Sequence, residues 1–268
     1  MTTYRRFTCV ERSIACFLSQ DYENTELIIY NTDYKHPLSL DDTFKDVEHK
    51  IKVINNNIDL ETKQPYSNVG PIRRDARMFS NGDYYITWDD DDIFFPWNIR
   101  QCMDGIIKTN KKSWKPIKSF MKQRGHDPTL YYNYLEASII VDMKSVEEHG
   151  FNMKKTGAEH LGWYEKLVEQ QQLVMDEHSV PAYCFYWSDE PSVAGHKQSN
   201  RAEFERMDNF TRHKMMTTDY ATRALTRKTL RDYQDVLSPF SPILKDFQTS
   251  KPELYNTYIQ PHEPLVIF

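Results

Sequence analysis

Four consecutive aspartates, Asp89-Asp90-Asp91-Asp92, follow directly on Tyr84-Tyr85-Ile86-Thr87-Trp88, a β-branched and aromatic run that reads as a buried strand. Like charges crowded at the end of a strand repel and raise one another's pKa unless a cation neutralises them. Something positive therefore belongs at that strand end. Open α/β sheets bind ligands just outside the carboxyl ends of their strands, and carboxylates there suit hard, oxygen-seeking Mg²⁺ or Mn²⁺. The bland alternative is a solvated turn in which Asp92 caps the following helix.

The flanking sequence alternates helix and strand signals. Val10, Ile14, Phe17 and Leu18 recur at helical spacing, and Thr8 with Glu11 makes a capping box that should start that helix. Residues 26–30 and 51–54 read as strands, the second ending in the turn-forming Asn55-Asn56-Asn57. A helix is expected between Gly70 and Gly82, with Ile72, Ala76 and Phe79 on one face and Gly82 ending it. Pro96 should open the next helix, whose stripe is Ile99, Met103, Ile106 and Ile107. This is the pattern of an α/β domain with a mostly parallel sheet. Further on, residues 130–142 are extended in character, 158–173 helical, and 180–187 a strand. From about residue 200 onward, charged helix-period segments such as 220–236 predict a helical cover over 201–268, packed on the same domain. No internal repeat is visible.

Composition removes several classes. Only 8 of 268 residues are Gly, where average usage would give about 19. No G-x-G pair exists, and Gly157 to Gly162 leads into Trp163 instead of Lys, so a Walker loop and a Gly-rich dinucleotide loop are excluded. The net charge of −5 argues against binding nucleic acid by charge alone. Cys9, Cys16, Cys102 and Cys184 have no C-x-x-C spacing, which fits four reduced thiols better than a zinc site. Neither a membrane-spanning apolar run nor a secretory segment is found, so a cytoplasmic protein without a membrane anchor is expected.

The segment from Gly70-Pro71-Ile72-Arg73-Arg74-Asp75-Ala76 through Gly82-Asp83-Tyr84-Tyr85-Ile86 to the aspartates and Pro96 resembles the core of GT-A glycosyltransferases of the family-2 type. Their pattern runs Arg-Asn, short helix, Gly-Asp/Glu-Tyr-Ile, then a D-x-D turn and Pro. Thr3-Tyr4-Arg5-Arg6, Glu11-Arg12-Ser13-Ile14 and Glu26-Leu27-Ile28-Ile29 are similar to that family's opening, and the resemblance covers roughly residues 2–200. It implies a Rossmann-like three-layer α/β/α domain over 1–200, with a nucleotide-binding half (about 1–96) and an acceptor half (about 97–200). Carried over residue by residue, it makes Asp89 and Asp91 the D-x-D pair, with Asp91 the best metal ligand, and turns Asp90 to the ribose. Thr3, Tyr4 and Arg6 would lie at the base or diphosphate, Asp33 near the base, and Arg74 against the nucleotide. In one respect the chain departs from the family: the usual first strand would precede Thr3, so the sheet is expected to lack that edge.

A second block, Gly150-Phe151-Asn152 with Gly157-Ala158-Glu159-His160-Leu161-Gly162-Trp163, looks like the family's Gly-Phe-Asp and Glu-Asp-Trp. There a carboxylate deprotonates the acceptor hydroxyl; here Glu159 or His160 would serve. Family members supply a late histidine to the metal or diphosphate, which points to His196, with Lys197 suited to the phosphates. Glu136 falls on the acceptor side. Lys108, Lys111, Lys112, Lys115, Lys118, Lys122 and Arg124, with Trp114 and Phe120 interleaved, form either a solvated basic face or a surface for a phosphate-bearing acceptor. The resemblance thus implies a metal-dependent, inverting transferase using Mn²⁺ or Mg²⁺ and a nucleoside-diphosphate sugar, a UDP-sugar by preference. Its acceptor would be a glycan or, as for bacteriophage relatives, hydroxymethylpyrimidine DNA in the host cytoplasm. A nucleotidyltransferase and a non-catalytic metal- or sugar-binding module are the rival readings.

Overall fold

The computed structural model describes residues 1–4, 6–123, 125–133, 136–151, 161–186 and 224–266. Its first sheet is wholly parallel. Strand β1 (Thr2–Thr3) pairs with β2 (Leu27–Asn31), which pairs with β4 (Ile51–Asn55) in the register Leu27↔Ile51 to Asn31↔Asn55. The short β1 supplies, for two residues, the strand that the sequence was expected to lack. All five residues of β2 are buried, as a strand covered on both faces requires.

Between β1 and β2 runs α1 (Phe7–Leu18), with Val10, Ile14, Cys16 and Phe17 inside the core. The Thr8–Glu11 capping box does not form, because the helix begins at Phe7 with Arg6 as its uncapped N-terminal residue. Glu11 is buried instead. Its carboxylate accepts the Thr226 N–H at 3.0 Å and pairs with Lys228 at 3.2 Å, tying α1 to the C-terminal part of the chain. A short strand, β3 (Ser39–Leu40), pairs in parallel with residues 224–225 of that same part.

Helix α2 (Val69–Arg77) starts at Asn68, whose side chain accepts the Gly70 N–H. It ends well before Gly82. The Gly82 N–H donates to Glu26 Oε1 at 3.0 Å, fixing the approach to β5 (Tyr84–Ile86). After the acidic turn come β6 (Ile93–Phe94) and α3 (Asn98–Thr109), which starts two residues beyond Pro96 and closes on Asn110 in the left-handed conformation. Gly105 in α3 lies against Trp114, where a Cβ would come within 2.3 Å of the indole. Only glycine lets this helix approach so closely.

The later strands form two mixed sheets. In one, β11 (Leu173–Asp176) lies parallel to β7 (Ser113–Pro116), and β10 (Ile140–Asp142) runs antiparallel to both β7 and β5. In the other, β8 (Lys118–Lys122) is parallel to β12 (Tyr183–Tyr186), with β9 (Thr129–Tyr132) and β6 antiparallel at its edges. The expected extended stretch 130–142 is thus two strands in different sheets, separated by a 3₁₀ turn at Glu136–Ser138. Helices α4 (Met143–His149) and α5 (Leu161–Glu169) cover this side.

The expected helix over 220–236 is divided: β13 (Ala224–Leu225) comes first, then α6 (Leu230–Leu237). A capping box between Thr229 and Asp232 sets its start. Phe240, before α7 (Ser241–Ser250), enters the main core, with ring centroids 5.2 Å from Phe95 and 5.1 Å from Phe120. Tyr233 donates to the Phe94 carbonyl at 3.1 Å. The C-terminal helices therefore close the core beneath the acidic turn. A cavity of about 510 Å³ lies between β2, β5 and α2, lined by Met1, Ile28, Arg73, Tyr85 and Ile86 among others. None of Asp89, Asp90, Asp91 and Asp92 lines it. Among the described residues, no helix is long and apolar enough to cross a membrane.

Candidate active site

The acidic turn joins β5 to β6, and the surrounding elements hold it at nearly every residue. Upstream, Trp88 stacks on Phe94 at 3.8 Å and donates its indole N–H to the Ser13 carbonyl, anchoring the strand end to α1. Ser13 returns a hydroxyl bond to the Asp89 carbonyl, and Arg12 donates to the Asp91 carbonyl at 3.1 Å. Arg12 also lies 4.9 Å over the Tyr186 ring. At the far end, Asp92 accepts the Tyr183 hydroxyl and, at 2.9 Å, the Tyr186 N–H. Asp92 therefore binds β12 and does not cap α3.

The other three carboxylates meet cations or donors from α1, α2 and β1. Asp89 Oδ1 takes a 2.7 Å bond from Arg73. Asp90, 4% exposed, accepts the Thr3 hydroxyl at 2.7 Å and Arg6 Nη1 at 2.9 Å. The same Nη1 lies 2.9 Å from Asp91 Oδ2. Burial pushes the Asp90 carboxyl above the usual range, with Arg6 opposing that rise and Asp91 adding to it. Arg6 itself loses solvation on burial, yet the facing Asp90 and Asp91 hold its pKa above the ordinary arginine value. The Met1 amine, buried beside Arg73, is pushed down to about 5, chiefly by desolvation.

Thr3, Arg6, Asp89, Asp90 and Asp91 are thus brought together. Tyr4 directly follows β1 in the chain. Asp33 lies just beyond the carboxyl end of β2, where its carboxylate holds His36 Nδ1 at 2.7 Å and accepts the Lys35 N–H. Arg74 does not reach the turn. Its guanidinium binds Asp59 at 2.7 Å, Asp75 at 2.8 Å and Glu61, bracing the loop that leads into α2. The arginine that reaches the turn is its neighbour, Arg73. Glu159, His160, His196 and Lys197 lie outside the described residues.

Among the described residues of 108–123 the basic and aromatic side chains do not share a face, and Arg124 lies outside the described residues. Trp114 and Phe120 are core residues, 1% and 0% exposed, and Lys115 is buried with its Nζ 5.7 Å over Tyr164. All four residues of β7 are buried, as is the middle of β8, so neither ring is available to stack on an acceptor. Lys108 and Lys118 remain exposed.

Among the described residues no three acidic, histidine or cysteine side chains converge on one point to hold a metal. Asp89 and Asp90 face Arg73 and Arg6, and Asp91 is the most open partner of Arg6, at 15% against 5% for Asp90. That donor set fits Mg²⁺ or Mn²⁺ bound in the manner usual for such ions, through one or two carboxylates with substrate phosphates and water.

No family model matches the chain, and no curated protein does so significantly. Solved structures do. TarS 1–349 of S. aureus in complex with UDP is 14% identical, with 99% of this chain and 84% of that one covered, at a TM-score of 0.50. The fold is that of GT-A glycosyltransferases. The mannosyltransferase PcManGT from Pyrobaculum calidifontis, in complex with GDP-Man and Mn²⁺, is also 14% identical, covering 97% and 69%, at a TM-score of 0.47. A longer TarS structure is 13% identical at a TM-score of 0.45, and the chain spans about half of it, 48%, while 91% of this chain is covered. In GT-A terms the acidic turn sits at the carboxyl edge of the sheet, where such a fold binds ligands.

Arg12, Arg73, Tyr183 and Tyr186 carry the turn, yet sequence reasoning assigned none of them a role there. Arg12 and Arg73 had a signal, since both lie within the segments that carry the family resemblance. Tyr183 and Tyr186 had none, because strand pairing across about 90 residues brings them to Asp92.

Proposed function

We propose that the protein is a glycosyltransferase that moves a sugar from a nucleoside-diphosphate sugar, preferably a UDP-sugar, to an acceptor hydroxyl with inversion. The observation that carries this reading is the Arg6–Asp90–Asp91 cluster at the carboxyl edge of a GT-A sheet. Asp91, with His196 and Asp89 as further candidates, would hold Mn²⁺ or Mg²⁺, which when bound supplies Lewis-acid neutralisation of the leaving diphosphate. Thr3, Tyr4, Asp33 and Asp90 orient the base and ribose. Arg6, Arg73 and Lys197 provide positive charge for the phosphates, as preorganised donors aimed at developing negative charge should. Glu159 or His160 takes the proton from the acceptor hydroxyl. A glycan and hydroxymethylpyrimidine DNA are the acceptor classes to try, the latter through exposed lysines such as Lys108 and Lys118 without ring stacking.

The test is diphosphate release from a panel of nucleotide sugars with Mn²⁺ or Mg²⁺, with Asp91→Asn as the control. Turnover of one donor, metal-dependent and lost in Asp91→Asn, is the expected result. Release that the chelator EDTA and Asp91→Asn both leave unchanged would contradict the reading.

A further inference from the structure

Arg6 is engaged in an unusual way. Its side chain is 10% exposed, and a single nitrogen, Nη1, is shared between Asp90 Oδ1 and Asp91 Oδ2, each at 2.9 Å. Its Nε–H is buried and has no partner among the described residues. A guanidinium carries five N–H donors in a rigid fork, and leaving one buried and idle is costly. An arginine facing two carboxylates normally satisfies Nε by a bidentate grip on one of them. Arg6 instead straddles the pair and leaves that donor over for another acceptor. Its charge also lies within contact distance of the Asp91 oxygen that the proposed function gives to a divalent cation, and two cations at one carboxylate repel.

We propose that Arg6 is an exchangeable counter-ion: in the donor-free protein it neutralises Asp90 and Asp91, and on binding of metal and nucleotide diphosphate it releases Asp91 and turns its guanidinium, with the idle Nε–H, to a phosphate oxygen while keeping Asp90. The inference rests on the proposed metal-diphosphate site and adds a consequence to it. A divalent cation alone must part Asp91 from Arg6 and leave two cations close together with no phosphate between them, so it binds weakly. With the diphosphate present the displaced arginine gains a partner. Metal and nucleotide therefore bind with positive coupling, and by linkage each tightens the other by the same factor. Thr3, which also holds Asp90, keeps that carboxylate in place during the exchange.

The experiment is a titration of the full chain with Mn²⁺, following free Mn²⁺ by electron paramagnetic resonance, with and without UDP. The wild type is compared with Arg6→Gln and Arg6→Lys. In the wild type, UDP should tighten Mn²⁺ binding about tenfold or more, within the usual range of coupling between sites. Arg6→Gln should bind Mn²⁺ alone about tenfold more tightly than wild type, bind UDP more weakly, and lose most of the coupling. Arg6→Lys keeps the charge and should stay close to wild type for Mn²⁺ alone. The exchange is overturned if folded Arg6→Gln binds Mn²⁺ no more tightly than wild type. It is also overturned, without any variant, if wild-type Mn²⁺ affinity is the same with and without UDP. If the wild type binds neither Mn²⁺ nor UDP, the proposed function itself fails.

Discussion

The adjacent α2 arginines Arg74 and Arg73 enter two different aspartate clusters, and these are built differently. In the loop before the helix, Asp59 accepts the Glu61 and Thr62 N–H groups together with Arg74, and from the helix Asp75 accepts the Leu60 N–H, the Tyr66 hydroxyl and Arg74. Tyr66 continues to Tyr30 at 2.8 Å, so the network closes on the sheet. In the acidic turn the backbone is held just as firmly, but one Arg6 nitrogen serves two carboxylates while its Nε is idle. A closed network, with its charges matched by fixed donors, stabilises a loop. An acidic turn in which Asp90 and Asp91 share a single guanidinium nitrogen, with a second donor of that arginine left over, is fitted to exchange partners, which is what a binding site requires.

The contrast predicts opposite responses to the same kind of change. Asp91→Asn should lower donor turnover by about 100-fold or more, the scale of losing a principal electrostatic contact, with the melting temperature nearly unchanged; steady-state kinetics and calorimetry check both halves. Asp75→Asn should do the reverse. Breaking a buried pair costs about 3 kcal/mol, seen as a lowered denaturation midpoint, while turnover well below that midpoint stays within about threefold. If Asp75→Asn abolished turnover in a folded protein, the division between the two clusters would be wrong.

A smaller effect is expected at the far end of the turn. Tyr183→Phe removes one donor to buried Asp92, and chemical denaturation should show a loss of about 1–3 kcal/mol. Because Asp92 and Asp91 are adjacent, turnover should fall too, but less than in Asp91→Asn. The least effect concerns pH. The Asp59 carboxyl is held below the usual carboxylate range: burial opposes this, but the Thr62 and Glu61 N–H groups and Arg74 outweigh it. A depressed folded pKa gives stability that is present above the ordinary carboxylate value and lost as pH falls through the folded one. Asp59→Asn should accordingly be less stable than wild type at neutral pH and show a flatter acid limb in a stability-versus-pH series. Parallel acid limbs for the two proteins would remove Asp59 from the account.

Much of this arrangement is legible in the sequence, and what is not has physical causes. The acidic turn, α1, β2, β4 and α2 follow from local periodicity and turn chemistry, whereas the run expected as a buried strand over 84–88 pairs only at Tyr84–Ile86, where it is exposed to half-buried, and is buried only at Thr87 and Trp88 beyond the strand's end. Which arginine of Arg73-Arg74 faces the turn does not, since adjacent helical residues point about 100° apart and a shift of one residue in a motif changes the answer. The Thr8–Glu11 pattern satisfied a local rule, but Glu11 meets Thr226 and Lys228 from far along the chain, and tertiary contact prevailed. The basic–aromatic stretch looked like one surface because nothing in the sequence order shows that β7 is buried at every residue, Lys115 included. Asp92 had a plausible local role as a cap, and only the pairing of β6 with β12 gives it Tyr183 and Tyr186.

The central claim is that the acidic turn holds a nucleoside diphosphate together with a metal ion. It is tested most directly by calorimetric titration of UDP into the wild-type protein with Mn²⁺, after EDTA treatment, and into Asp91→Asn with Mn²⁺. The account predicts saturable UDP binding in the first case, at least about tenfold weaker in the other two. Equal UDP affinity in all three would contradict it.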